Sequence, residues 1–221
     1  MVYEWIPYAA AASVLGSVPF GKIIARRVAG VDITRHGSGN IGATNVARKL
    51  GLKWGLLTLV LDALKGFVPV FIYAFCISQA EPGNNVAPLA IGLCSVLGHQ
   101  FSIFQGLRGG KGVATALGVY LGISPSTRLA CLVGLFLFIL IVHRWRFISL
   151  GSVVSALAMP LLLALFGESE VVVFGSLIVA GLICLKHREN FQRLIKGEER
   201  KWRDENGQAR RSRSLSNSSS E

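Results

Sequence analysis

The chain is short of charge. Asp, Glu, Lys and Arg make up only 16% of its 221 residues, where a soluble domain carries roughly a quarter. It is also short of cysteine. Cys76, Cys94, Cys131 and Cys184 each lie in or at the edge of an apolar run, with no CxxC pair and no Cys/His cluster at zinc-ligand spacing. That excludes a zinc ribbon or finger, requires no disulfide, and leaves the four as small apolar packing residues. GxSxG, HExxH and a Ser/Lys dyad signature are all missing, so no familiar hydrolase or metalloprotease motif is available. None of the four histidines is followed by Asp five positions on, which removes the HxxxxD arrangement of one large acyltransferase class. No Lys or Arg precedes the first apolar run, whereas Lys22, Arg26 and Arg27 follow it. That order excludes a secretory signal and reads as an uncleaved first span with its N-terminus outside.

What is present is apolar: 52% of the residues are hydrophobic. The formal net charge of +11 would suggest nucleic acid in a soluble protein. Here the positive residues lie in loops and in the tail, so a membrane protein is expected and nucleic acid is not. Seven apolar segments are legible: 3–25 (broken by Pro7 and Pro19), 54–77, 86–104, 112–123, 129–143, 147–166 and 171–185. The fourth is too short to cross a bilayer unaided, since a crossing takes about 20 residues. The expected fold is all-α, a polytopic membrane protein of about seven transmembrane helices. Arg26, Arg27, Arg35, Arg48, Lys49 and Lys53 crowd the first loop, Arg108 and Lys111 the third, and Arg144 and Arg146 the fifth. The second and sixth loops have no base and the fourth only Arg128. Odd loops and the C-terminus are therefore expected in the cytoplasm, with the N-terminus outside. A membrane-embedded domain over 1–196 is expected, followed over 197–221 by a disordered, basic and Ser-rich cytoplasmic tail.

Polar residues concentrate in three segments that this rule places on the cytoplasmic side. The first, HGSGNIGATNVAR over 36–48, is too rich in Gly, Ser, Asn and Thr for a helix interior. Gly37-Ser38-Gly39-Asn40-Ile41-Gly42 matches GxGxxG, and Asp62 follows Gly42 by twenty residues. A dinucleotide fold would need a strand before the glycines and a soluble βαβ unit around them; a basic loop and an apolar span stand there instead. What remains is an anion nest: Gly39 and Gly42 permit close backbone approach, Ser38, Asn40, Thr44 and Asn45 add neutral hydrogen bonds, and Arg48 adds a charged fork. A plain interhelix loop is the alternative. The second segment, from Gly98-His99-Gln100 through Gly109-Gly110-Lys111-Gly112 to Thr115, fails as a Walker motif, with Gln105 where Gly is needed and Gly112 where Ser or Thr is needed. Glycines around Lys111 at a helix start still make a natural phosphate site, against a tight re-entrant turn with a snorkelling lysine. In the third, 186–198, a helix puts His187 and Asn190 on one face with Arg188 and Arg193 near, or simply caps the last span with positive charge. Asp62 and Lys65, three apart inside the second span, are read as an intramembrane charge pair.

Together these segments supply Arg48, Lys111, Arg188, Arg193, His99 and His187 with no carboxylate cluster, a set that suits two phosphorylated ligands. HGSGNIGATNVAR, LDALKG (61–66), GHQFSIFQGLRGGKGVAT and KHRENFQRLIKGEE resemble signature segments of the bacterial integral-membrane glycerol-3-phosphate acyltransferases that use acyl phosphate. The resemblance spans roughly residues 13 to 199. It departs at Ser102, where the family favours Pro, and at Leu107-Arg108, where Phe-Lys is common. It implies transfer of a fatty acyl group from acyl phosphate to the 1-hydroxyl of glycerol 3-phosphate in a bacterial inner membrane, without cofactor or metal. It assigns Ser38, Arg48, Lys111, His187 and Asn190 to glycerol 3-phosphate, and Thr44, Asn45 and the Gly109-Gly110 backbone to acyl phosphate. An organic-phosphate transporter is the alternative that the intramembrane charges motivate. The topology has a direct check: Asn84→Cys should be labelled from outside the cell, and labelling from the cytosol would contradict it.

Overall fold

A computed structural model describes residues 4–77 and 85–202. The second loop around Asn84 and residues 203–221 of the expected tail lie outside the described residues. All regular structure among the described residues is helical. Helix α1 (Ile6–Ser17) and helix α2 (Phe20–Ala29) are separated at Pro19, which lacks the N–H that would continue the ladder. Helix α3 (Ala43–Leu50) is separated from α4 (Leu52–Phe71) by Gly51, whose φ of 97° lies outside the helical range. Pro69 sits inside α4, which runs on as a π-helical turn over Ile72–Ile77. Helix α5 (Val86–Gln100) precedes the polar loop, and α6 (Val113–Ile123) follows it. Helix α7 (Pro125–Trp145) starts on a capping box between Ser124 and Thr127, with Pro125 at its first position. Helices α8 (Ile148–Leu165), α9 (Glu170–Lys186) and α10 (Arg188–Ile195) complete the described helices.

Among the described residues, five helical stretches are long and apolar enough to cross a bilayer: Ile6–Ala29, Leu52–Cys76, Val86–Gln105, Pro125–Trp145 and Ile148–Leu165. The pair α9 and α10, bent by 56° at His187, adds a sixth if counted as one span. The fourth apolar segment of the sequence is α6, only 11 residues long. It does not need to cross alone, because it lies along α4 and also touches α5 and α7. The protein is an all-α polytopic membrane protein.

Apolar side chains give little drive for helix association in lipid, so close backbone contact has to supply it. Two crossings show how. A Cβ on Gly118 of α6 would come 1.9 Å from the Ala63 carbonyl oxygen of α4, and one on Gly66 of α4 would come 2.2 Å from the Thr115 carbonyl oxygen of α6. Glycines Gly16 and Gly98 bring α1 and α5 together in the same way. Ala12, Val70, Ile91, Val96, Ala130, Leu163 and Val172 form the dry centre, while Phe136, Leu161 and Phe174 stay exposed toward lipid.

Gly118→Ala is therefore expected to lower stability by at least about 1–3 kcal/mol, the usual cost of overpacking. The thermal midpoint in detergent should fall, while Gly181→Ala, with no atom in its way, should leave it in place. Equal midpoints would remove the α4–α6 backbone contact from this role.

Candidate active site

The first polar segment is folded around one side chain. Asn45 is buried in α3 and its amide nitrogen donates to the carbonyls of Ile33, His36 and Asn40 at 3.2, 2.9 and 2.8 Å. Its oxygen accepts the Ser38 backbone N–H at 3.1 Å. Gly37 has a φ of 57°, and a Cβ there would strike the Asn45 amide oxygen at 2.2 Å. The Asn40 side chain caps the loop by accepting the Gly42 N–H at 2.8 Å. These bonds present the N-terminus of α3, with Ser38, Thr44 and Arg48, to a cavity. They also correct the expectation for Asn45: its N–H groups are spent on loop carbonyls, so it positions the loop and has no donor left for a phosphate.

The second segment turns over His99. The Gly110 N–H donates to the His99 carbonyl at 3.1 Å. A Cβ on Gly109 would come 2.0 Å from that carbonyl, and one on Gly110 would come 2.1 Å from the imidazole Nε2. The buried Gln100 amide donates to the Lys111 carbonyl at 2.9 Å. Gly109 and Gly110 thus pack on His99 and do not line the cavity, and the Gly110 N–H is already taken. The cavity is reached one residue later. Gly112, at a φ of 83°, opens α6, and Lys111, Gly112, Val113 and Ala114 line the wall. Lys111 Nζ donates to the Asn190 amide oxygen at 2.6 Å. Burial pushes its pKa down to about 8, with attraction to Glu199 opposing and repulsion from Arg193 adding to the shift.

Asn190 is a relay. Its nitrogen donates at 2.6 Å to Glu199 Oε1, which also accepts the Ser149 hydroxyl at 2.7 Å. Arg193 Nε donates to Glu199 Oε2 at 2.9 Å. Burial raises the Glu199 pKa, but the bonds from Asn190, Ser149 and Arg193 outweigh it and hold the carboxylate below its ordinary range. His187 lies at the α9–α10 bend, and its Nδ1 is 2.8 Å from the Ile183 carbonyl. A carbonyl only accepts, so Nδ1 carries the proton and Nε2 is left as an acceptor. Burial first, and then the Lys111 charge, push the His187 pKa down to about 4. In the bundle, Asp62 and Lys65 form a buried ion pair at 2.8 Å, and Lys65 also donates to the Val18 carbonyl at the α1–α2 break at 3.0 Å. Asp62 lines the cavity floor.

The cavity holds about 590 Å³. At one end, the N-termini of α3 and α6 converge with Arg48, Lys111 and Arg193, an arrangement that favours anions. From there an apolar arm runs between α4, α6, α7 and α8, past Leu56, Leu117, Leu135, Phe138 and Met159. Helices α4 and α7 flank α6 without packing along one another, and the exposed Leu56, Leu59 and Leu135 border the gap between them.

Of the residues expected from sequence, Ser38, Asn40, Gly42, Thr44, Asn45, Arg48, His99, Lys111, Gly112, His187 and Asn190 share this one cavity. Gly39, Gly109, Gly110 and Arg188 lie off its wall. The described part of the expected tail packs on the bundle: Glu199, Arg200 and Trp202 line the cavity, the Arg200 carbonyl accepts Arg48 Nη2 at 3.0 Å, and the Trp202 N–H donates to the Arg146 carbonyl at 2.7 Å. Sequence reasoning missed Glu199 and Ser149. The one signal for Glu199 was its place at the end of KHRENFQRLIKGEE.

A family profile described as glycerol-3-phosphate acyltransferase matches residues 6–197. The glycerol-3-phosphate acyltransferase of Geobacter sulfurreducens is 50% identical over 194 residues, 88% of this chain and 95% of that protein. That of Aquifex aeolicus is 43% identical over 192 residues, covering 86% and 95%. Two crystal structures of PlsY, an integral membrane glycerol 3-phosphate acyltransferase, superpose on the fold. The glycerol 3-phosphate form has a TM-score of 0.82 at 39% identity, covering 90% of this chain and 95% of that one. The lysophosphatidic acid form has a TM-score of 0.80 at 40% identity, covering 89% and 94%. The chain belongs to the glycerol-3-phosphate acyltransferase family.

Proposed function

We propose that the protein acylates glycerol 3-phosphate to lysophosphatidic acid, and that its acyl donor is acyl phosphate. The observation that carries this is the shape and chemistry of one cavity: a cationic end with two helix N-termini, joined to an apolar arm. One substrate must be wholly polar and the other must carry an anionic head on a long apolar tail. The reaction joins the two. The alternative, a transporter, needs a path onward through the bundle, whereas the arm ends among core residues.

In this reading Ser38, Arg48 and Lys111 hold the glycerol phosphate, with Arg193 adding charge. Thr44 and the N–H groups opening α6 face the acyl phosphate. Asn190 positions the Lys111 ammonium. His187 Nε2 accepts the hydrogen bond of the 1-hydroxyl and orients it. Burial and the Lys111 charge favour its neutral ring, so His187 is read as the acceptor that orients the hydroxyl and not as the final resting place of the proton. The hydroxyl oxygen attacks the acyl carbon, the bond from that carbon to the phosphate oxygen breaks, and the proton leaves on the departing phosphate, which titrates near neutrality. The mixed anhydride is already activated, so no covalent enzyme intermediate is needed. Position and charge neutralisation carry the rate. In this reading the polar end of the cavity faces the cytoplasm at a bacterial inner membrane, a reading supported by the positive charge of the loops around it. The bonds of Arg200 and Trp202 to Arg48 and Arg146 support a membrane domain that extends past residue 196 to include the described residues through 202.

Lys111→Ala should lower kcat/KM by roughly 10²–10³-fold, as loss of a preorganised donor does, read as phosphate released from acyl phosphate and glycerol 3-phosphate. A rate near wild type would remove Lys111 from the site. The pH profile gives an independent check. Lys111 is charged below about 8 and neutral above it, so kcat/KM should fall as pH rises through that value. Lys111→Arg keeps its charge to high pH and should move this alkaline limb upward, whatever its absolute rate. An unmoved limb would assign it to another group.

A further inference from the structure

The apolar arm is closed at its inner end and open on one flank, between α4 and α7. Helix α6 lines it from Val113 to Tyr120, α7 from Val142 back to Cys131, and α8 from Ile148 to Met159. The next inward residues, Ile123, Ala130 and Leu163, leave the lining and are at most 3% exposed in the core. At a helical rise of about 1.5 Å per residue, Tyr120 lies roughly 10 Å from the start of α6, and Met159 roughly 16 Å from the start of α8. Tyr120, Cys131 and Met159 are themselves buried and make the end wall. Gly134 lines the arm one helical turn from Cys131. A Cβ there would come 3.1 Å from Met159 Sδ, so a side chain at position 134 would press on the thioether that closes the arm.

We infer that this end wall is a chain-length ruler, in which Tyr120, Cys131, Gly134 and Met159 fix how much of the acyl chain the enzyme accepts. The inference rests on the acyltransferase reading. Each methylene that finds room adds roughly fourfold in affinity, and one that does not must displace packed side chains. The depth of the wall therefore sets the length at which kcat/KM peaks. The competing route for a long tail is the gap between α4 and α7, bordered by exposed Leu56 and Leu135. A tail leaving there would be indifferent to the wall.

The test assays the full-length protein with acyl phosphates of graded length and compares kcat/KM as a long-to-short ratio. That ratio does not depend on the fraction of active enzyme. Met159→Ala should raise it by roughly fourfold for each methylene admitted, moving the peak to longer chains. Gly134→Val should lower it and move the peak to shorter ones. Should either variant fail to fold, Gly134→Ala carries the same test, because it places one methyl against a flexible thioether and should also lower the ratio. Ratios unchanged from wild type in active variants overturn the ruler and send the tail out through the α4–α7 gap. Wild-type protein that turns over no acyl phosphate of any length overturns the acyltransferase reading instead, so the two failures are distinct.

Discussion

A lysine ammonium held inside a bundle at the membrane surface needs compensation, and Lys111 receives it indirectly. Its partner is the carbonyl end of an amide, Asn190, at 2.6 Å. The carboxylate of Glu199 stands one side chain further away, bonded to the far end of that amide. A direct Lys–Glu pair would neutralise the charge and leave little for a ligand. A relay through an amide fixes the ammonium in place while leaving its charge for an incoming dianion. Arg193 and Ser149 complete the carboxylate's bonding, so the network is closed without consuming the cation that matters.

That relay joins residues nearly 90 positions apart, and the frame that aligns them is made by glycine contacts. The α4–α6 crossing at Gly66 and Gly118 sets the depth of α6 and hence where Lys111 emerges. The α9–α10 bend at His187 turns Asn190 back toward it. The Asp62–Lys65 pair reaches the Val18 carbonyl and ties the α1–α2 break to the same frame. A charge pair buried in this way is retained because breaking it would strand a charge in lipid-like surroundings. The same helices that place the polar end also enclose the apolar arm, so one packing arrangement joins a cationic pocket to an apolar channel.

Much of this was legible in the sequence. Charge depletion and long apolar runs announced a helical membrane protein, and clustered Gly, Ser, Asn and Arg marked the polar loops. The residue types, however, did not separate ligand contacts from loop scaffolding. Asn45 and Gly110 looked like phosphate donors. Their N–H groups are committed to backbone carbonyls, which only three-dimensional bookkeeping reveals. Glu199 was hard to single out for the opposite reason: it sits in a stretch of mixed charge whose composition reads as solvated tail, and its burial comes from partners 50 and 9 positions away. Sequence periodicity cannot report such pairings.

In the proposed reaction one cavity joins a polar phosphate acceptor to an acyl phosphate. Its most direct test follows both products of a single reaction. Purified protein in lipid or detergent receives acyl phosphate and glycerol 3-phosphate, with no thioester donor present. Lysophosphatidic acid and inorganic phosphate should appear in equal amounts and at the same rate. Phosphate release without lysophosphatidic acid, or acylation that occurs only when a thioester donor is supplied, would contradict it.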